Sequence, residues 1–195
     1  MNILKSTMVL AFFMTAFLAQ AQVTGNPEIQ KKLDSFIELT NEKKYDQAFD
    51  LMYPKMFKQV GKQELVNLME SMDNDGLSLT VTNRRITSFS TPFEEGNEKF
   101  VRIQYTADMS MKVKEGGMYD SPKASQAMMQ QFETTYNKEN VRWNPEAKEY
   151  TIHTKKAMMA IQEDGKDWYL VEINTDQMEL MRSLFSETVI AALIT

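Results

Sequence analysis

Phe100-Val101-Arg102-Ile103-Gln104-Tyr105-Thr106-Ala107-Asp108-Met109-Ser110-Met111-Lys112-Val113 alternates apolar and polar side chains without a break from Val101 onward. Side chains in a strand point to opposite faces in turn, so this period of two describes a long strand with one buried face. Val101, Ile103, Tyr105, Ala107, Met109, Met111 and Val113 share that face. Arg102, Gln104, Thr106, Asp108, Ser110 and Lys112 take the other.

The same period appears on both sides of this stretch. Leu77, Leu79 and Val81 alternate with Ser78, Thr80 and Thr82, and Pro92 to Glu98 reads as a hairpin connection around Gly96. Further on, Tyr150 to Ile161 and Asp167 to Ile173 read as two strands. Glu163-Asp164-Gly165-Lys166 supplies hairpin chemistry between them.

Upstream the period is helical. Asn26-Pro27 is a capping residue followed by proline at the first helical position, with Ile29, Leu33, Phe36 and Ile37 on one face. A second helix is expected over Asp46 to Met52, ended by Pro54, and a third over Lys62 to Met72, with Leu65, Leu68, Met69 and Met72 on its apolar side. Asp73-Asn74-Asp75-Gly76 then stops the chain with turn residues. Between Lys114 and Glu149 lies an insertion in which Ser125 to Asn137 has weak helical character through Met128, Met129, Phe132 and Tyr136. A closing helix begins near Thr175 or Asp176 and buries Met178, Met181, Leu184 and Phe185. Strands that follow helices without βαβ alternation predict an α+β fold. The expectation is N-terminal helices packed on a curved antiparallel sheet of about four strands, plus a C-terminal helix. Residues 22–195 form a single domain on this reading.

Residues 1–21 read as a secretory signal peptide: Lys5 supplies the positive start, Met8 to Leu18 the apolar segment, and Ala19-Gln20-Ala21 the small-x-small cleavage pattern. The apolar run is too short for a hydrocarbon core that needs ~20 residues. Charges interrupt every later apolar stretch, and Val189 to Ile194 is only a short apolar run, so no membrane span is expected. There is no Cys and no Asn-x-Ser/Thr sequon, which suits export into a bacterial periplasm or the extracellular space better than eukaryotic secretion. The formal net charge is −5 and the sequence pI is about 5.1, against a basic nucleic-acid-binding footprint.

The segment Lys43-Lys44-Tyr45-Asp46-Gln47-Ala48-Phe49, the following Tyr53-Pro54, the helix from Gly61 to Met72 and the hairpin strand Asp164-Gly165-Lys166-Asp167-Trp168-Tyr169-Leu170-Val171 together resemble the NTF2-like, or cystatin-like, superfamily. The resemblance covers most of residues 26–175, and small exported members of unknown function are similar in layout. It implies a curved sheet wrapping helices around a cone-shaped apolar cavity. The superfamily holds isomerases, dehydratases and hydrolase-like enzymes beside non-catalytic binding and dimerising modules, so fold alone does not choose a function.

Several residues are candidates for chemistry. Tyr105, with Ile103, Met109 and Met111 on the same strand face, would line a pocket if the cavity exists, with the tyrosine hydroxyl as its polar handle. Asp108 points to the opposite face and cannot serve as the partnering acid. The sole histidine, His153, reads either as a general base or as a strand histidine beside solvated neighbours. The sixteen methionines suit irregular cores or a pliable ligand surface, and thioethers also bind Cu(I). Arg84-Arg85 and Lys155-Lys156 read as solvated strand edges. No Gly-x-Ser-x-Gly elbow or phosphate-binding glycine loop is present, and no catalytic residue, metal or cofactor is implied. The expected function is an exported, non-enzymatic domain that binds an apolar small molecule or a protein partner between helices and sheet. The alternatives are a small isomerase- or hydrolase-like enzyme using Tyr105 or His153, and a module that homodimerises through its open sheet face.

Overall fold

The computed structural model describes residues 25–59 and 61–194. The expected signal peptide, residues 1–21, lies outside the described residues. Among those described there are six α-helices and six β-strands in an antiparallel sheet, so the chain is α+β. The sheet has two more strands than expected.

The strand read from Phe100 to Val113 is β3, Glu98–Val113, and it pairs along its length with β5, Glu149–Glu163. These two long strands form the spine, and shorter strands share their outer edges. β1 (Leu77–Phe89) and β2 (Phe93–Glu95) occupy the outer edge of β3. β4 (Val141–Asn144) and β6 (Trp168–Glu172) occupy the outer edge of β5. β4 pairs with residues 149–152 and β6 with residues 158–162, which leaves a gap on that edge of β5. Asp164 and Gly165, with φ of 52° and 68°, make the tight turn towards β6, a conformation that glycine adopts without strain.

In the sheet, two short strands and the second half of a third escaped the sequence reading. β1 continues past Thr82 because two bulges, between Thr82 and Arg85 and between Ile86 and Ser88, insert residues and break the alternation. A bulge also bends its strand, so β1 is bent at these two places. β2 and β4 are too short to carry a period of their own.

The helices lie on both faces, not one. α1 (Pro27–Asn41), α2 (Tyr45–Phe49) and α3 (Lys62–Asn74) cover the face that carries Ile103 and Tyr105. Asn26 caps α1 through its side chain, which accepts from the Glu28 and Ile29 amides. Ile29 and Leu33 are fully buried against Val101, Ile103 and Leu170. At the other end of α1 the Asn41 amide exchanges two hydrogen bonds with the Val81 backbone, of 2.8 and 2.7 Å, and so docks the helix on edge strand β1. On α3 the buried residue is Val66, whereas Leu68 is 56% exposed, contrary to its expected place on the apolar side.

α4 (Pro122–Tyr136) lies within the insertion and brings Met129 and Phe132 over Tyr150 and Ile152, closing the far end of the same sheet face. The expected single closing helix is instead α5 (Met178–Leu184) and α6 (Glu187–Leu193), both on the opposite face. The apolar tail Val189 to Ile194 belongs to this packing: Val189, Ile190, Leu193 and Ile194 are buried with Phe100, Met159, Ile161 and Val171. No helix among the described residues is long and apolar enough to cross a membrane.

Candidate functional site

Where α1, α2 and α3 arch over the curved sheet they do not fill the space beneath them. A cavity of about 250 Å³ remains. Its helical wall includes Phe36, Ile37, Phe49 and Met69, and its sheet wall includes Leu79, Val81, Tyr105, Ala107, Met109 and Met158. A dry engineered cavity of ~150 Å³ accepts benzene, so this one has room for a small ring system or a short chain.

The polar groups at this wall differ in what they are free to do. The Thr40 hydroxyl donates to the Phe36 carbonyl at 2.8 Å, and the Thr154 hydroxyl to the Ala107 carbonyl at 3.0 Å. The Tyr45 hydroxyl is turned away and donates to Asp73. Lys156 and Glu172 form an ion pair of 2.5 Å at the cavity margin. The Tyr105 hydroxyl has no hydrogen-bond partner among the described residues. Burial holds its pKa well above the ordinary tyrosine value, the nearby Glu172 carboxylate adds to the rise, and Arg84 opposes it. The phenol therefore stays neutral and can donate or accept one hydrogen bond.

Of the four residues proposed from the sequence, Tyr105 and Met109 line this cavity. Ile103 and Met111 do not. Ile103 is fully buried under α1, in the cluster with Ile29 and Leu33. Met111 packs where Tyr150 and α4 close the sheet. All four share a face, as the alternation requires, but the cavity occupies only the middle of the strand. Lys156 was misread as part of a solvated pair. It faces the cavity, and the alternation of Tyr150, Ile152, Thr154, Lys156 and Met158 already placed it on the apolar face.

His153 is on the other face. It is 54% exposed, and its Nδ1 lies 2.8 Å from Asp108 Oδ1, while Asn83 donates to Asp108 Oδ2 at 2.8 Å. An oriented imidazole is only part of a hydrolytic site, which also needs an activated nucleophile and a place for the developing oxyanion. No hydroxyl is bonded to the imidazole among the described residues. The neighbouring side chains on that face, including Thr106, Ser110, Thr151 and Lys155, are polar.

Two partly buried carboxylates are held by donors, one beside the cavity and one on the opposite sheet face. Asp73 accepts from Lys43 at 2.6 Å, from Ser78 at 2.8 Å and from Tyr45, which ties α2, α3 and β1 together beside the cavity. Glu98 accepts from Tyr53 at 2.6 Å and Lys55 at 2.7 Å where β3 begins. Burial alone would raise both carboxyl pKa values, but these donors outweigh it and hold both below the ordinary range. The unfolded chain protonates such groups near pH ~4, while the folded chain keeps them ionised to lower pH. Their stabilisation is thus complete above that range and is lost as pH falls through the depressed folded values. Urea unfolding followed from pH 6 to pH 2 should show stability falling on the acid side, with a shallower fall in Asp73→Asn. An identical acid limb in that variant would contradict the assignment.

These features define an antiparallel α+β domain whose helix-covered sheet face encloses an apolar cavity with one free phenol. The chain matches no protein-family model and no curated protein sequence.

Proposed function

We propose that the protein is an exported binding domain of NTF2-like architecture that holds a small apolar molecule in the cavity between its helices and sheet. The observation that carries this reading is the cavity itself: predominantly apolar walls around a single hydroxyl without a protein partner, the usual composition of a small-molecule site. The order of helices before strands, the bulged and curved sheet and the position of the cavity support the superfamily resemblance. The pattern of residues 1–21 supports export. A catalytic role has less support, because His153 and Asp108 lie on the opposite sheet face from Tyr105 and no acid is bonded to the tyrosine. Homodimerisation through the open sheet face has little apolar surface to draw on, since the uncovered part carries polar side chains.

The test uses native mass spectrometry of protein purified from its own host, together with NMR titration of the purified chain with 1-octanol. A stoichiometric extra mass that disappears on denaturation, or saturable shifts of Tyr105 and Met109 signals, is the expected outcome. Ala107→Phe, which places a ring in the cavity floor, should abolish either signal with only ~1–3 kcal/mol lost from overpacking. An apo mass combined with unmoved Tyr105 and Met109 signals would overturn the reading.

A further inference from the structure

We infer that the ligand of this cavity is a monocarboxylate with a small apolar body, its head bound at Lys156 in place of Glu172. This inference rests on the binding function proposed above and names its ligand class.

The first observation is the gap in the sheet edge. Residues 153–157 of β5 have no strand partner on the side away from β3, because β4 ends opposite Ile152 and β6 ends opposite Met158. Across this stretch the Ile173 amide donates to the Ala157 carbonyl at 2.9 Å. The apolar face therefore reaches the molecular edge here without a covering strand.

The second observation is what stands at that gap. Tyr105, Lys156 and Glu172 border the cavity and also border a polar surface groove of about 650 Å³. Tyr105 and Lys156 are direct cross-strand partners, and Glu172 lies opposite Met158, so all three side chains leave the sheet on the cavity side. They mark the place where the apolar interior meets solvent.

The third observation concerns which member of the ion pair is the fixed one. The Lys156 side chain is 20% exposed and that of Glu172 is 44% exposed. Glu172 is the last residue of β6, an edge strand, just before the chain leaves the sheet. Lys156 rises from the middle of the spine. Apart from this pair, the charged residues bordering the groove are Arg102, Lys155 and Asp176. Arg84, beside Tyr105, is already matched by Asp34. Arg102 and Lys155 leave the sheet on its other face, so when Glu172 swings outward the charge at the cavity mouth is the Lys156 ammonium group. A carboxylate head then restores a charge-assisted hydrogen bond of the kind Glu172 makes. The Tyr105 hydroxyl can donate to its second oxygen. The apolar body occupies the cavity, whose volume corresponds to about eight carbons at ~30 Å³ for each water-sized unit.

The experiment compares octanoate, 3-phenylpropanoate, 1-octanol and octylammonium, titrated into the full-length mature chain and followed by NMR at Tyr105 and Met109 and by calorimetry. Octanoate or phenylpropanoate should bind at least tenfold more tightly than octanol, and which of the two is tighter separates an alkyl from an aryl body. Lys156→Met keeps the length and apolar stem and should reduce acid binding to the level of octanol. Glu172→Gln removes the competing internal carboxylate while sparing Lys156, and should tighten acid binding about tenfold. Equal binding of octanoate and octanol, or preferential binding of octylammonium, would overturn the carboxylate inference and leave the cavity reading standing. No binding of any of the four at Tyr105 and Met109 would overturn both.

Discussion

Deleting residues 186–195 should abolish cooperative folding. α6 is short, yet Val189, Ile190, Leu193 and Ile194 are all buried. At ~1.5–3 kcal/mol for each fully buried aliphatic side chain, these four bring about 6–12 kcal/mol, an upper bound because unfolded chains already bury some surface. Domains are stable by only ~5–15 kcal/mol in total. Truncation would also uncover Phe100, Met159, Ile161, Val171, Met181 and Phe185, which form the other side of the same cluster. The expected result is a chain that binds a hydrophobic dye, keeps part of its far-UV circular dichroism and loses its sigmoidal urea transition. A truncated chain that unfolds cooperatively, with a midpoint close to that of the intact protein, would show that α6 is dispensable.

Tyr53→Ala should cost about 3–5 kcal/mol, the range for removing a buried aromatic ring. Tyr53 is 1% exposed and stacks on Phe185 with centroids 6.2 Å apart and planes 6° from parallel. Its backbone amide donates to the Leu170 carbonyl at 2.9 Å, and Leu170 donates back to Leu51, so this segment runs beside β6 like an extra strand. Its hydroxyl donates to Glu98. Tyr53→Phe keeps the ring and loses only the hydroxyl's contacts with Glu98 and, at 3.2 Å, with Glu163, so it should cost about 1–2 kcal/mol. Chemical denaturation of the two variants separates packing from hydrogen bonding. Equal losses would mean that the ring contributes little and the hydroxyl nearly everything.

The sequence carried the parts of this fold that rest on uninterrupted periods. β3 and β5 were legible because each keeps one face buried over its whole length, and α1 because a cap, a proline and an apolar stripe coincide. The second half of β1 was hidden by two bulges, the first of which shifts Ile86 out of phase with Leu77 and Leu79 before the second brings Phe89 back into phase. α6 was hidden for another reason: its apolar residues form nearly one block, and periodicity cannot tell a buried helix of that length from a tail. The site shows the same limit in another direction. Alternation put Ile103, Tyr105, Met109 and Met111 on one face, but how far along the strand a cavity opens depends on where α1, α3 and α4 cross the sheet. That is a property of tertiary packing, and no local pattern encodes it. Lys156 was the exception, visible in the alternation but set aside as one of a charged pair.

The spine of the sheet also sets a constraint on time. Among the described residues β5 is the only strand that joins β3 to β4 and β6, and its pairing with β3 reaches from Glu98↔Glu163 to Lys112↔Glu149. Nearly all of these partners are distant in sequence, and topologies dominated by such contacts fold slowly because loop closure precedes its reward. Helices α1 to α3 and the β1–β3 pair can form early, but the edge of β3 that must receive β5 stays open until the chain has been made through residue 163. A ribosome-bound chain therefore carries an unsatisfied strand edge from the completion of β3 at Val113 until β5 is complete at Glu163, and any factor that holds it in that interval will be reading β3.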